Sequence, residues 1–381
     1  MPKLLTIVSI LAIFLSGCTA LRAIRCGTPS TETYTNFDLD TIHAADTIKT
    51  MLIDSPEHDT YFQTTKFDGG RLHNETIGEY FRRVRGNGAL LIVRNDSILL
   101  EEYYGNVDDH TPVNIFSISK AVTSLLCGIA IDEGLIGSVN DPVTKYLPEL
   151  QTAAPEFSQL TIEHLLDMRT GLDFKEEYGW NPLSKMAGLY YGKDVMKSIK
   201  NAGFNAKPGT KHYYNSLATA ILGVVIERAT GRPYAQYLQE KIWYPLEMDS
   251  DAYIALDSRK NNHAKAYGGI ATTARNLAHI GQLYLNGGIY NGRRIVSRGW
   301  IERSTHANID NEAYSYGWNN IMTQKDGKLT VTNRFFALGL FGQVLFCDPE
   351  QNLIFVTLGE KKGYEYHLLF DDFCNILSSH H

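Results

Sequence analysis

Phe116-Ser117-Ile118-Ser119-Lys120 places a hydroxyl and an amine three residues apart at the head of an apolar run that continues to Gly134. Within that run Val122, Leu125, Leu126, Ile129 and Ile131 recur at helical spacing, and Gly134 stands where a helix would end. The spacing predicts a buried helix from Ser117 onward. Residues i and i+3 share one helix face, so the Ser117 hydroxyl and the Lys120 amine can meet, while the free N–H groups of the first turn favour a developing negative charge. Nucleophile, proton-handling group and dipole then coincide. The S-x-x-K pattern is weak alone, since a capping serine before a solvated lysine also produces it. It occurs once in this chain, and its setting of hairpin, loop and apolar helix is the one the chemistry needs.

Outward from this helix, Thr76 to Arg85 reads as a short helix. Ala89-Leu90-Leu91-Ile92-Val93 and Ile98-Leu99-Leu100 flank Asn95-Asp96 as a hairpin. The stretch from about 140 to 300 is mainly helical, with candidates at Thr161–Met168, Leu217–Thr230, Tyr234–Trp243 and Thr273–Leu285. Strands return at Leu329–Asn333, Gln343–Cys347 and Leu353–Leu358, before a last helix from about Tyr364 to Leu377. This order predicts an α+β fold: an antiparallel sheet built from both ends of the chain, flanked by helices, with a mainly helical subdomain inserted over about 140–300. The expected divisions are a signal peptide over 1–17, a spacer and irregular lead-in over 18–75, and one globular domain over 76–381.

The chain has 381 residues, 44% of them hydrophobic, and a formal net charge of -6. That is enough apolar material for a sizeable core, and no basic cluster suits a nucleic-acid partner. Lys3 precedes an apolar stretch from Leu4 to Leu15 that is too short to span a bilayer. It runs into Leu15-Ser16-Gly17-Cys18, which resembles the lipobox of bacterial lipoproteins, so Cys18 is expected to carry lipid at the cell envelope, in the periplasm or at the cell surface. Cys26, Cys127, Cys347 and Cys374 form no C-x-x-C pair, and the 12 histidines have no ligand-like spacing. These spacings predict no particular disulfide, and no metal or cofactor is expected. His164 and His212 are read as hydrogen-bonded structural residues.

Tyr213-Tyr214-Asn215 follows a Lys207-Pro208-Gly209-Thr210 turn and precedes a helix. Tyr-x-Asn also begins at Tyr34, Tyr104 and Tyr284, but Tyr213 alone combines loop, turn and helix, with Tyr214 as its rival. With Leu165-Leu166-Asp167-Met168-Arg169-Thr170-Gly171-Leu172, Tyr267-Gly268-Gly269-Ile270-Ala271-Thr272-Thr273-Ala274-Arg275 and Gly339-Leu340-Phe341-Gly342-Gln343, the chain resembles the class C β-lactamase relatives, the group that includes family VIII carboxylesterases and 6-aminohexanoate-dimer hydrolases. The resemblance covers roughly residues 85 to 360. It implies a β-lactamase/transpeptidase-like fold and an acyl-enzyme on Ser117. Lys120 and Tyr213 would share the proton, either with a neutral Lys120 as base or, preferred, with a charged Lys120 supporting a Tyr213 phenolate. It also implies an oxyanion site from the backbone N–H groups of Ser117 and Leu340, and substrate contacts from Asn215 and Gly339.

Where β-lactamases and D,D-peptidases carry a cation and a hydroxyl in a K-T-G-like motif, this chain aligns Ala337-Leu338-Gly339. That departure favours small or peptide-like esters and amides of low charge over β-lactams, with Arg334 the nearest substitute cation. The alternatives are a D,D-peptidase or β-lactamase, and a non-catalytic envelope lipoprotein that binds without turnover.

Overall fold

The computed structural model describes residues 19–46, 52–54, 58–69, 72–178, 181–307, 309–325 and 327–362. The expected signal peptide, Cys18, the last expected helix and Cys374 lie outside the described residues.

Five long antiparallel pairings build the main sheet, and one of them joins the two ends of the chain. The hairpin of β1 (Gly88–Arg94) and β2 (Ser97–Tyr104) turns at Asn95 and Asp96, both at positive φ, as a tight two-residue turn requires. The late strands β3 (Trp318–Lys325), β4 (Lys328–Gly339), β5 (Gln343–Asp348) and β6 (Leu353–Gly359) follow as a meander. β6 closes the sheet by pairing along β1, from Leu353 opposite Arg94 to Gly359 opposite Gly88. Tyr314–Ser315 extends one edge and Ile53–Asp54 the other, the latter pairing in parallel. β3 has no counterpart in the sequence reading, because Trp318-Asn319-Asn320-Ile321 breaks the alternation and a register shift lies between Asn320 and Met322.

Five helices position the site: α1 (residues 19–26), α2 (Ile77–Arg85), α3 (Ile118–Asp132), α4 (Ser216–Thr230) and α5 (Ala274–Leu285). α2 starts with a reciprocal capping box, in which Glu79 N–H donates to Thr76 Oγ1 at 3.0 Å and Thr76 N–H to Glu79 Oε2 at 2.8 Å. In α3 every residue from Ile118 to Ala130 is buried, as befits a helix that is apolar all round. It lies between the sheet and the helical part. Gly317, at φ +95°, lets the start of β3 approach it: a Cβ there would stand 2.7 Å from the Ala121 Cα.

Two expectations are corrected. The middle of the chain is not only helical, for Ala252–Ala255 and Ile270–Thr272 join Leu39–Ile42 and Val113–Asn114 in a second sheet. Strands of three or four residues are too short to display a period. The lead-in over 18–75 is also more than a spacer: residues 19–26 are helical, Leu39–Ile42 pairs with Ala252–Ala255, and Ala23, Phe37 and Ile42 are buried. Its Thr, Ser and Asp content masks a few widely spaced apolar side chains. Among the described residues no helix is long and apolar enough to cross a membrane.

Candidate active site

The second sheet delivers Ser117. Val113–Asn114 pairs with Ile270–Thr272, Ile115 N–H donates to Ile270 O at 3.0 Å, and Asn114 Oδ1 accepts from Phe116 N–H at 3.1 Å. The chain then passes through Phe116 at φ +47°, an uncommon conformation for an aromatic residue, and enters α3 with Ser117 at the N-cap. The Ser117 hydroxyl makes no capping bond. Instead it accepts from Lys120 Nζ at 3.0 Å. Lys120 is 3% exposed, donates also to Tyr267 O at 2.8 Å, and lies 5.0 Å from the centre of the Tyr214 ring.

Two cavities meet at Ser117, Tyr178 and Leu340. One is mostly apolar and is walled by Ala23, Phe116, Met186, Tyr190, Tyr191 and Tyr267 among others. The other contains Lys120, Tyr214, Tyr314, Asn319, Gly339 and Lys362. Gly339 fits because β4 passes so near the segment leading to Ser117 that a Cβ there would stand 2.3 Å from Ile115 O. Leu340 follows it in the turn Leu340–Gly342, where Phe341 has φ +62° and packs edge-on against Phe116 at 5.6 Å. Buried Arg85, at the end of α2, holds this turn by donating to Phe341 O at 2.6 Å and to Lys361 O. Ser117, Lys120, Gly339 and Leu340 are therefore brought together.

Tyr213 and Asn215 are not. Tyr213 N–H donates to Met168 O at 2.9 Å, and its side chain is 46% exposed beside Thr170 and Lys211, in a different cavity. Its neighbour Tyr214 faces Lys120. Side chains alternate along an extended segment, so one residue of register exchanges the two tyrosines. Asn215, 1% exposed, caps α4 by accepting from Ala218 N–H at 3.0 Å, and its amide donates to Tyr213 O at 3.1 Å and Thr170 Oγ1 at 3.3 Å. It has no donor left for a substrate. Arg334 is no substitute cation either, for its Nε donates to the buried Asp348 carboxylate at 2.9 Å.

Tyr178 and Glu176 escaped the sequence reading. Glu176 accepts from Ser216 N–H at 2.8 Å and Ser216 Oγ at 2.6 Å, at the start of α4, and from the Tyr178 hydroxyl at 2.6 Å. The Tyr178 residue is half exposed, but its hydroxyl end is enclosed between Glu176 and Ser117; burial there, then the Glu176 charge, push its pKa up. No local motif announces either residue. His164 completes a capping box with Thr161, and His212 Nδ1 lies 3.0 Å from Asp167 O, so both serve the scaffold. Cys26, Cys127 and Cys347 are free thiols.

Comparison with known proteins gives the family. The family model described as beta-lactamase matches residues 74–368. The 6-aminohexanoate-dimer hydrolase of Paenarthrobacter ureafaciens is 29% identical over 291 residues, 71% of each chain. The teichoic acid D-alanine hydrolase of Staphylococcus aureus is 30% identical over 200 residues, 50% of this chain and 47% of that one. Among solved structures, a Bacillus anthracis protein provisionally described as a 6-aminohexanoate-dimer hydrolase superposes with a TM-score of 0.72 at 20% identity, covering 92% of each chain. A penicillin-binding protein homologue from Pyrococcus abyssi does so with a TM-score of 0.59 at 21% identity, over 79% of this chain and 76% of that one. The chain belongs to the beta-lactamase family, has its fold, and is a serine hydrolase.

Proposed function

We propose that this family member hydrolyses esters or amides of small or peptide-like substrates through an acyl-enzyme on Ser117, with Lys120 and Tyr214 handling the proton. What carries the reading is the 3.0 Å contact from Lys120 Nζ to Ser117 Oγ where two cavities meet. Ser117 Oγ bonds to the carbonyl carbon, and the oxyanion is received by the N–H groups of Ser117 and Leu340. Collapse breaks the bond to the leaving alcohol or amine, which departs with the proton Ser117 gave up; water then repeats the sequence and frees the acid. We assign the Ser117 proton to Lys120 and Tyr214 together, since Lys120 Nζ meets Ser117 Oγ and lies 5.0 Å from the centre of the Tyr214 ring.

Low substrate charge is supported by Ala337-Leu338-Gly339 and by the pairing of Arg334 with Asp348. The names of two relatives, one for a 6-aminohexanoate dimer and one for teichoic acid D-alanine, favour a role outside β-lactams. One observation favours a second reading: Lys362 lines the Ser117 cavity and offers a cation for a substrate carboxylate, as a D,D-peptidase or β-lactamase needs. The chain is further proposed to be held at the bacterial cell envelope by lipid on Cys18, on the strength of Leu15-Ser16-Gly17-Cys18 after a short apolar segment.

The test is hydrolysis of p-nitrophenyl acetate by the mature chain and its Ser117→Ala variant, beside a chromogenic cephalosporin. Ester turnover lost in the variant, with little cephalosporin turnover, is the expected result. Dominant cephalosporin turnover would restore the β-lactamase reading, and ester turnover that survives Ser117→Ala would remove Ser117 as nucleophile.

A further inference from the structure

The helix that follows the proposed lipid attachment site is part of the catalytic cleft. Ala23 of α1 is buried and, with Thr28 and Pro29, walls the apolar cavity beside Ser117. The helix is fastened to that wall. Arg22 donates to Tyr191 O and Asn36 O, both at 3.3 Å, and its guanidinium lies 5.1 Å over the Phe37 ring. Tyr191, itself a wall residue, donates its hydroxyl to Gly27 O at 2.7 Å.

The opposite face of α1 is bare. At 100° per residue Leu21, Ile24 and Arg25 share one side, away from Ala23, and all are exposed, Leu21 at 64% and Ile24 at 55%. Two apolar side chains and a cation make the pattern of a helix lying on an anionic lipid surface. The chain itself says what covers them. Cys18 is bonded to Thr19, the first residue of α1, and the four helical steps from Thr19 to Ala23 advance only about 6 Å. No tether long enough to lift the cleft away from the bilayer separates the two.

We propose that α1 seats the enzyme on the membrane through Leu21, Ile24 and Arg25 beside a lipidated Cys18, so that the apolar cavity next to Ser117 opens at headgroup level. Its substrate is then an amphiphilic ester or amide taken from the bilayer surface. The inference rests on the lipid-anchor reading of Cys18, and the experiment separates the two.

The full chain is made in a host that processes lipoproteins, and the N-terminal peptide is weighed. Absence of lipid on Cys18 overturns the anchor reading and the proposal with it. With lipid present, the protein is reconstituted in vesicles of phosphatidylethanolamine and phosphatidylglycerol, with one tryptophan at a time added to the chain's own four by Leu21→Trp, Ile24→Trp or, far along β4, Leu329→Trp, and quenching of the added tryptophan read as the difference from the parent protein. Brominated lipid should quench the first two and spare the third. Equal quenching at all three positions overturns the seating while leaving the anchor intact. In the doubly substituted L21E/I24E protein, turnover of p-nitrophenyl palmitate carried in vesicles should fall about tenfold, with p-nitrophenyl acetate within about twofold of the parent. Unchanged palmitate turnover overturns the membrane route, and so does an equal fall on both esters, because α1 would then be acting on the site itself.

Discussion

The first turn of α3 and the segment from Lys211 to Asn215 both bring chemistry to Ser117, yet they obey different geometry. In α3 the helical period decides that residues 117 and 120 share a face, and Lys120 Nζ duly lies 3.0 Å from Ser117 Oγ. In the extended segment the period is two, so a shift of one residue reverses every side chain. There Tyr213 N–H on Met168 O fixes the register, turning Tyr213 to solvent and Tyr214 to Lys120. A motif on a helix carries its own geometry, whereas one on an extended loop borrows it from whatever the loop is bonded to.

The comparison breaks first at Ser117. Ser117→Ala should cut ester turnover by about ten-thousandfold or more, and Lys120→Ala by about a thousandfold, with KM changed far less than kcat. A Lys120→Ala protein that kept near-parental kcat would remove the helix turn from the mechanism. The next cut is the exchange of the two tyrosines. Tyr214→Phe should lower kcat about a hundredfold, while Tyr213→Phe should stay within about twofold. The reverse ranking would show that the loop adopts the other register during turnover.

How much was legible follows the same division. The α3 helix, the β1–β2 hairpin and the strands at 343–348 and 353–359 carry long apolar runs or turn signals, and could be read from residues alone. Gly339 and Leu340 came through family resemblance, since backbone donors have no side-chain signature. Tyr178 and Glu176 could not be found this way. Their roles arise because Glu176 reaches the start of α4 some 40 residues later, a contact without local pattern. The second sheet was hidden by its brevity, and Tyr267, whose carbonyl receives Lys120, is placed by that sheet.

Asn215 sharpens the contrast between motif and scaffold. If its amide belongs to the cap of α4, Asn215→Ala should destabilise the fold by about 2 kcal/mol through the lost cap and the buried bonds to Thr170 and Tyr213. Urea unfolding would measure this. The kcat/KM of the folded fraction should fall only a few fold, whereas a residue that orients substrate would lose activity out of proportion to stability.

The smallest expected effect concerns what holds the tyrosine segment from behind. Asp167 gives its carbonyl to His212 and Asn311, while its carboxyl is pushed up to about 6, first by burial and then by the Glu163 carboxylate. The folded value lies above the unfolded one, so the native state holds an extra proton between them and stability falls as pH rises from about 4 to about 6. Above that range the ionised carboxylate is a standing penalty, set by partial exposure at about 1 kcal/mol. Asp167→Asn should therefore raise the melting temperature at pH 7.5 and leave it nearly unchanged at pH 4, where both forms are neutral. An equal gain at both pH values would mean that packing, and not charge, is being relieved. A loss at pH 7.5 would mean that the carboxylate is held by favourable contacts and that the segment carrying Tyr214 depends on its charge.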